Sequence, residues 1–201
     1  MVFLSRMILF RALYRIASRN NLDFVKADFY RFTVNEDGSL RKRRFSLTDK
    51  QEYYNCLIDP SENIETFKFI MNTWSGIYSL DFLNKYHIRH NETPGASYQD
   101  NGFWFQTFCR AKRAWFVNKP YYMNRRDNPN SSMFNRQKVY CVTEEYRYIW
   151  DWMSKEPELI KKYSAIFYMK KYSNFMVTYR RIAEPLRMEY LHHICDEFKK
   201  P

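Results

Sequence analysis

The sequence predicts an α/β chain, α+β in its own arrangement: a mixed sheet with flanking helices, then a C-terminal helical tail. Three observations carry this. Leu9, Leu13 and Ile16 recur at helical spacing, with Arg11, Arg15 and Arg19 on another face. Leu22 to Thr33 is dense in Phe, Val and Tyr and leads into Asp37-Gly38, the strongest hairpin dipeptide in the chain. From about Ser132 onward the apolar period is helical.

Taken in order, a helix over 7–19 ends at Asn20-Asn21, and the strand over 22–33 turns at Asn35 to Gly38. Arg41-Lys42-Arg43-Arg44 lies on the returning strand. Four successive charges on a strand point to both faces, so at least one face must be open to solvent or to a partner. Thr48-Asp49-Lys50-Gln51 reads as a capping box that starts a short helix through Cys56 or Leu57. Asp59-Pro60-Ser61 begins a segment reaching the apolar run Phe67 to Met71. Ser79 caps a short helix that ends near Tyr86, and Asp100 caps another that runs to about Lys112. Ala114 to Val117 and Pro120 to Tyr122 read as strand pieces. A helix from about Ser132 to Trp152 is followed by one that Ser154 and Pro157 open. In it Tyr172, Phe175, Met176 and Tyr179 keep core spacing; Pro185 breaks it, and Leu191, Ile194, Cys195 and Phe198 share a face of the last helix.

A chain of 201 residues with 45% hydrophobic content is long and apolar enough to bury a core. Its net charge of +11 predicts attraction to polyanions: nucleic acid, anionic lipid head groups or diphosphates. Four glycines, Gly38, Gly76, Gly95 and Gly102, cannot spell a dinucleotide-binding or Walker-type loop, which excludes both standard phosphate cradles. Cys56, Cys109, Cys141 and Cys195 are scattered without CxxC spacing, as expected of reduced thiols. His87, His90, His192 and His193 have no Cys or carboxylate partner at ligand spacing, so no metal-binding motif is expected in this chain. No apolar run approaches the roughly twenty residues of a membrane span. The N-terminal segment, interrupted by Arg6 and Arg11, reads as a helix with solvated arginines in preference to a secretory or transit peptide.

The stretches Ala12 to Ala17, Asp23 to Phe32, Thr73-Trp74-Ser75-Gly76-Ile77-Tyr78, Gln99-Asp100-Asn101-Gly102-Phe103 and Tyr122 to Ser132 follow one another in a telling order. Together they resemble the second half of family 2 glycosyltransferases, inverting nucleotide-sugar enzymes of the GT-A fold that build bacterial surface polysaccharide and cell-wall glycans. The resemblance implies a partial GT-A-like mixed sheet, with residues 1–135 as the acceptor-side part of a catalytic domain and 136–201 as the helical tail. Gln99-Asp100-Asn101-Gly102-Phe103 stands where that family has Glu-Asp-x-x-Phe, which makes Asp100 the catalytic general base. Trp74, Tyr78, Gln99 and Trp104 become substrate-binding residues, and Arg125, Arg126, Asn130, Ser131 and Ser132 the loop that meets the diphosphate.

Two departures shape the expectation. Gln99 replaces the family's leading Glu. The family's first strand and its Asp-x-Asp carboxylate pair have no counterpart here, so the chain reads as a truncated or split enzyme. The resemblance implies Mg or Mn as cofactor, a nucleotide sugar as donor, and a glycan or lipid-linked acceptor. It also implies a cytoplasmic location, with contact to the inner face of the membrane as a peripheral partner surface. A complementing N-terminal half or a homo-oligomer would complete the site. The rival expectations are a non-catalytic remnant or partner subunit, and a basic nucleic-acid-binding module that would use the Arg41 to Arg44 run. Lys161-Lys162, Lys170-Lys171 and Arg180-Arg181 fall on different faces of one helix and form no single lipid-facing stripe.

Overall fold

Helix α1 (Val2–Asn20) opens the chain, followed by β1 (Phe24–Val34), β2 (Leu40–Phe45), β3 (Leu57–Ile58), β4 (Gly76–Tyr78), α2 (Leu80–Lys85), α3 (Gln99–Arg110) and β5 (Ala114–Arg125). Three further helices follow: α4 (Cys141–Ser154), α5 (Pro157–Arg181) and α6 (Arg187–Lys199). The structure, a computed structural model, describes residues 2–93, 98–128 and 139–199. The chain forms two compact units, Met1–Arg89 with Gln106–Pro129, and His90–Phe105 with Asn130–Pro201. Where the sequence suggests one boundary at 135, residues 90–105 group with the helical segment.

The first unit is a mixed α/β layer. Its five described strands run β2-β1-β5-β3, with β4 pairing the start of β1, Phe24 to Lys26, ahead of the residues that pair with β2. β1 pairs antiparallel with β2 and β4 and parallel with β5. The hairpin forms because Gly38 takes the left-handed φ of +78° that the turn requires, and the Asp37 carboxylate accepts the Ser39 N–H at 2.9 Å. On one face of β1, Val25 and Ala27 pack with Leu13, Leu22 and Val117 beneath Ile16 and Ala17 of α1. On the other, Phe24 stacks on Phe108 (5.2 Å) and meets Phe116 edge-on (6.0 Å). Each such buried ring contributes about 2–3 kcal/mol of transfer free energy.

Two charged side chains are buried on that second face. Lys26 is 1% exposed and donates its Nζ–H to the Asn72 carbonyl oxygen. Asp28 is fully buried and accepts from Arg44 Nη2 (2.7 Å), Tyr54 Oη (2.8 Å) and Leu47 N (3.0 Å). A buried carboxylate held by three donors ties the β2 edge to the loop beyond it.

The second unit is helical. Pro157 sits in the first turn of α5, where its missing N–H costs nothing. α4 and α5 pack through Tyr146 and Phe167 (5.5 Å) and α5 and α6 through Phe175 and Tyr190 (6.2 Å). Glu197, 2% exposed, receives Arg147 Nη2 at 2.6 Å and lies 3.6 Å from Lys171 Nζ, which also donates to the Glu197 carbonyl at 3.0 Å.

Several local expectations change. The Thr48 segment forms no capping box: its only helical turn is the 3-10 stretch Gln51–Tyr53, with no side-chain cap, because the Thr48 hydroxyl instead accepts the Lys50 N–H (3.2 Å). Val139 and Tyr140 are not helical, so α4 starts at Cys141; residues 132–138 lie outside the described ones. Tyr172 and Cys195 are exposed; Phe175 and Ile194 are buried as expected, joined by Lys171 and Thr178 on α5 and Tyr190 and Glu197 on α6. The two strand pieces over 114–122 are one strand, β5, with a register shift opposite Ala27–Phe29.

Candidate functional site

Asp100 lies in the first turn of α3, one residue inside the helix and not at its cap. The role expected of a cap is filled from elsewhere. Glu145 of α4, 1% exposed, accepts the Gly102 N–H at 2.8 Å and the Asn91 side-chain N–H at 3.2 Å. A carboxylate in that place satisfies an orphan donor of the first turn and meets the positive end of the helix. Gly102 makes room for it: a Cβ there would collide with Glu145 Oε1 and come within 3.2 Å of the Tyr148 ring.

Burial pushes the Glu145 carboxyl up to about 7, against the pull of its two hydrogen bonds, and the nearby charge of Asp100 adds to the rise. The second unit therefore holds two interacting carboxyl groups at one helix N-terminus. Glu145 was missed by sequence reasoning. It lies 43 residues from Gly102 and carries no local pattern. Only the small residue at Gly102, inside a helix, hinted that another chain segment approaches there.

Around this pair, Gln99 donates its side-chain amide to Thr93 O (2.9 Å) and Thr93 Oγ1 (2.8 Å). Tyr98 takes a left-handed φ of +66° just before the helix, with its hydroxyl 2.6 Å from Thr178 Oγ1. Gln99 thus braces the entry to α3. Trp104 is fully buried, with Lys170 Nζ 4.9 Å from its ring. Burial pulls the Lys170 ammonium down to about 8.

The remaining expected residues belong to the first unit. Trp74 is half-buried, edge-on to Phe29 and tilted against Tyr122, both at 4.7 Å. Tyr78 donates its hydroxyl to Thr73 O (3.3 Å) and packs on Phe24, which makes it a brace for β4. Arg125 and Arg126 separate: Arg125 pairs with Asp127 at 2.7 Å, whereas Arg126 lies near Arg31. Asn130, Ser131 and Ser132 lie outside the described residues. A groove of about 410 Å³, lined by Leu47, Thr48, Lys50, Glu65, Lys68 and Phe69, contains none of the expected site residues. There Lys50 and Lys68 hold the Glu65 carboxyl down at about 2.

Among the described residues no group of three or more His, Cys, Asp or Glu is placed to hold a metal ion. No step below runs through the divalent cation that the resemblance implies. Among the same residues no helix is long and apolar enough to cross a membrane.

No protein-family model matches the chain, and no curated protein matches it. Its function has to be read from its own residues and their placement.

Proposed function

We propose that the chain acts in glycosyl transfer from a nucleotide sugar to a hydroxyl of a surface-polysaccharide or cell-wall glycan acceptor, with Asp100 as the general base. Asp100 takes the proton of the acceptor hydroxyl as its oxygen attacks the anomeric carbon; the bond to the diphosphate breaks and the nucleoside diphosphate leaves with the electron pair. The observation that carries this reading is the pair formed by Asp100 and the buried Glu145 at the start of α3. Two carboxyl groups whose surroundings differ are a recurring way to keep one available as a base. Glu145, protonated over part of the neutral range, relieves Asp100 of a like charge while still accepting the Gly102 N–H. The motif order from Trp74 to Arg126 supports the same reading.

Titration of the purified chain with UDP-, GDP- and CMP-sugars, with and without Mn²⁺, followed by amide NMR, tests it. Saturable shifts with one donor class, including the Asp100 and Gly102 amides, are expected. A chain that responds to none of these donors is not a nucleotide-sugar enzyme by itself.

A further inference from the structure

We propose that the outer edge of β2 is an interaction surface for an extended acidic segment of another protein, which adds to the sheet as a further strand. β2 ends the strand order, and among the described residues no strand pairs its outer side. The hydrogen bonds around the hairpin show which groups point that way. Asn35 N–H donates to Ser39 O (2.9 Å), while Val34 N–H donates to the Asp127 carboxylate (2.6 Å) and Phe32 O accepts the Arg126 N–H (2.9 Å). Phe32 and Val34 thus turn their main-chain groups away from β2. The pairs that bond within the hairpin are Arg31 with Arg43 and Thr33 with Arg41. The N–H and C=O groups of Leu40, Lys42 and Arg44 therefore face outward, spaced about 7 Å along the strand. All three residues are exposed, and these main-chain groups have no hydrogen-bond partner among the described residues.

The side chains of the edge define what the added strand carries. Arg41, Lys42 and Arg43 follow one another, so cations stand on both faces of the edge. Among the described residues none of the three is ion-paired, and the residues outside them include no Asp or Glu to supply a partner. Their neighbour Arg44 is already taken by Asp28 at 2.7 Å. Aromatic rings seat two of the three: Lys42 Nζ lies 5.2 Å from the Tyr30 ring, and the Arg43 guanidinium 5.3 Å from Phe45. At the hairpin tip Leu40 and Val34, paired across the two strands, are both exposed and form a small apolar step beside the cations.

An extended chain matches all of these features at once. Its N–H and C=O groups meet those of Leu40, Lys42 and Arg44, and its side chains alternate between the same two faces. Consecutive Asp or Glu residues in it reach Arg41 and Arg43 on one face and Lys42 on the other, and an apolar residue at the end falls beside Leu40. Opposite charges directly across a strand pair are favourable and like charges are not, which rules out β2 of a second copy as the occupant. A nucleic acid laid on one face would leave the cations of the other unmatched, and it offers no ladder of N–H and C=O groups. Exposed cations also keep an edge from pairing with unintended strands. An acidic strand is the kind that they admit. The surface belongs to the first unit and does not depend on Asp100 or on sugar transfer.

The test is NMR titration of the full ¹⁵N-labelled chain at low salt with the peptide acetyl-Thr-Val-Glu-Glu-Glu-Val-Thr-amide. The comparison arms are the same peptide N-methylated at its three Glu residues, which keeps the charge and blocks both edges, and a twelve-residue oligothymidylate. The unmodified peptide is expected to bind with a Kd below about 1 mM. At saturation the amides of Leu40, Lys42 and Arg44 should slow their exchange with solvent, while those of Arg41 and Arg43, already bonded within the hairpin, change less. The N-methylated peptide should bind at least about tenfold more weakly. Arg41→Gln and Arg43→Gln, at exposed positions that leave the fold intact, should each weaken binding by about threefold. Arg19→Gln removes the same charge from the exposed end of α1 and should leave binding unchanged. No peptide binding at millimolar concentration, equal binding of the N-methylated peptide, or an equal loss in Arg19→Gln overturns the proposal. Oligothymidylate binding that the peptide does not displace also overturns it, in favour of nucleic acid.

Discussion

Replacing Glu145 by Gln removes a buried titrating group while keeping its shape. The Gln carbonyl still accepts the Gly102 N–H, and the Asn91 amide can turn over to accept from the new NH₂. The wild-type carboxyl rises from 4.5 to about 7 on folding. At about 1.4 kcal/mol per unit, this is a difference of about 3 kcal/mol between the ends of that window. Because the folded pKa is the higher one, the folded chain binds more protons than the unfolded chain between these values. The Glu145 contribution is thus complete below pH 4.5, falls as pH rises, and is gone above about 7. Urea unfolding at half-unit steps from pH 4.5 to 8.5 measures it in both proteins. Subtracting one curve from the other cancels the titrating groups that do not interact with Glu145. The stability of Glu145→Gln relative to wild type is expected to climb by about 3 kcal/mol across the window. A difference that stays flat with pH would refute the burial of an ionisable Glu145 against α3.

Gly102→Ala is expected to cost about 2 kcal/mol in urea unfolding, because a methyl group displaces the Glu145 carboxyl from the helix end. Gly76→Ala should cost at least as much, since its Cβ would lie 2.5 Å from the Val25 carbonyl oxygen, a backbone atom that cannot swing away. Asp28→Ala leaves Leu47 N without its acceptor and Arg44 without its carboxylate, and should lower stability by about 3 kcal/mol by the same assay. Glu197→Ala removes the carboxylate 3.6 Å from the buried Lys171 ammonium and should be worse than Lys171→Met, while the double change Lys171→Met with Glu197→Met should recover much of the loss.

Local chemistry made much of the first unit legible. Asp37-Gly38 marked the hairpin but not its register: a two-residue turn there would set Arg31 across from Arg44, whereas Val34 pairs with Leu40 and Arg31 lies across from Arg43. Ser79 also caps α2 as its sequence suggests, accepting the Phe82 N–H at 3.4 Å. The capping box at Thr48 failed because a threonine hydroxyl serves a tight turn as readily as a helix. What stayed hidden depends on partners distant in the chain. Arg126 joins Arg31 only through the parallel β1–β5 register, and its neighbour Arg125 is taken by Asp127. Lys171, one of a basic pair, looks like a surface residue until α5 and α6 pack. The sequence singled out Asp100 but not Glu145, since nothing near residue 145 marks it as a cap for a helix that starts at Gln99.

The most direct measurement is transfer itself: incorporation of labelled sugar from a UDP-, GDP- or CMP-sugar panel into a glycan acceptor fraction, by wild type and by Asp100→Asn. With a complementing donor-binding half supplied, the account predicts incorporation by the wild type and a loss of about 10² to 10⁴ in rate for Asp100→Asn, with unchanged urea unfolding. Equal incorporation by the two complemented proteins, or none by the complemented wild type with any donor, would contradict it.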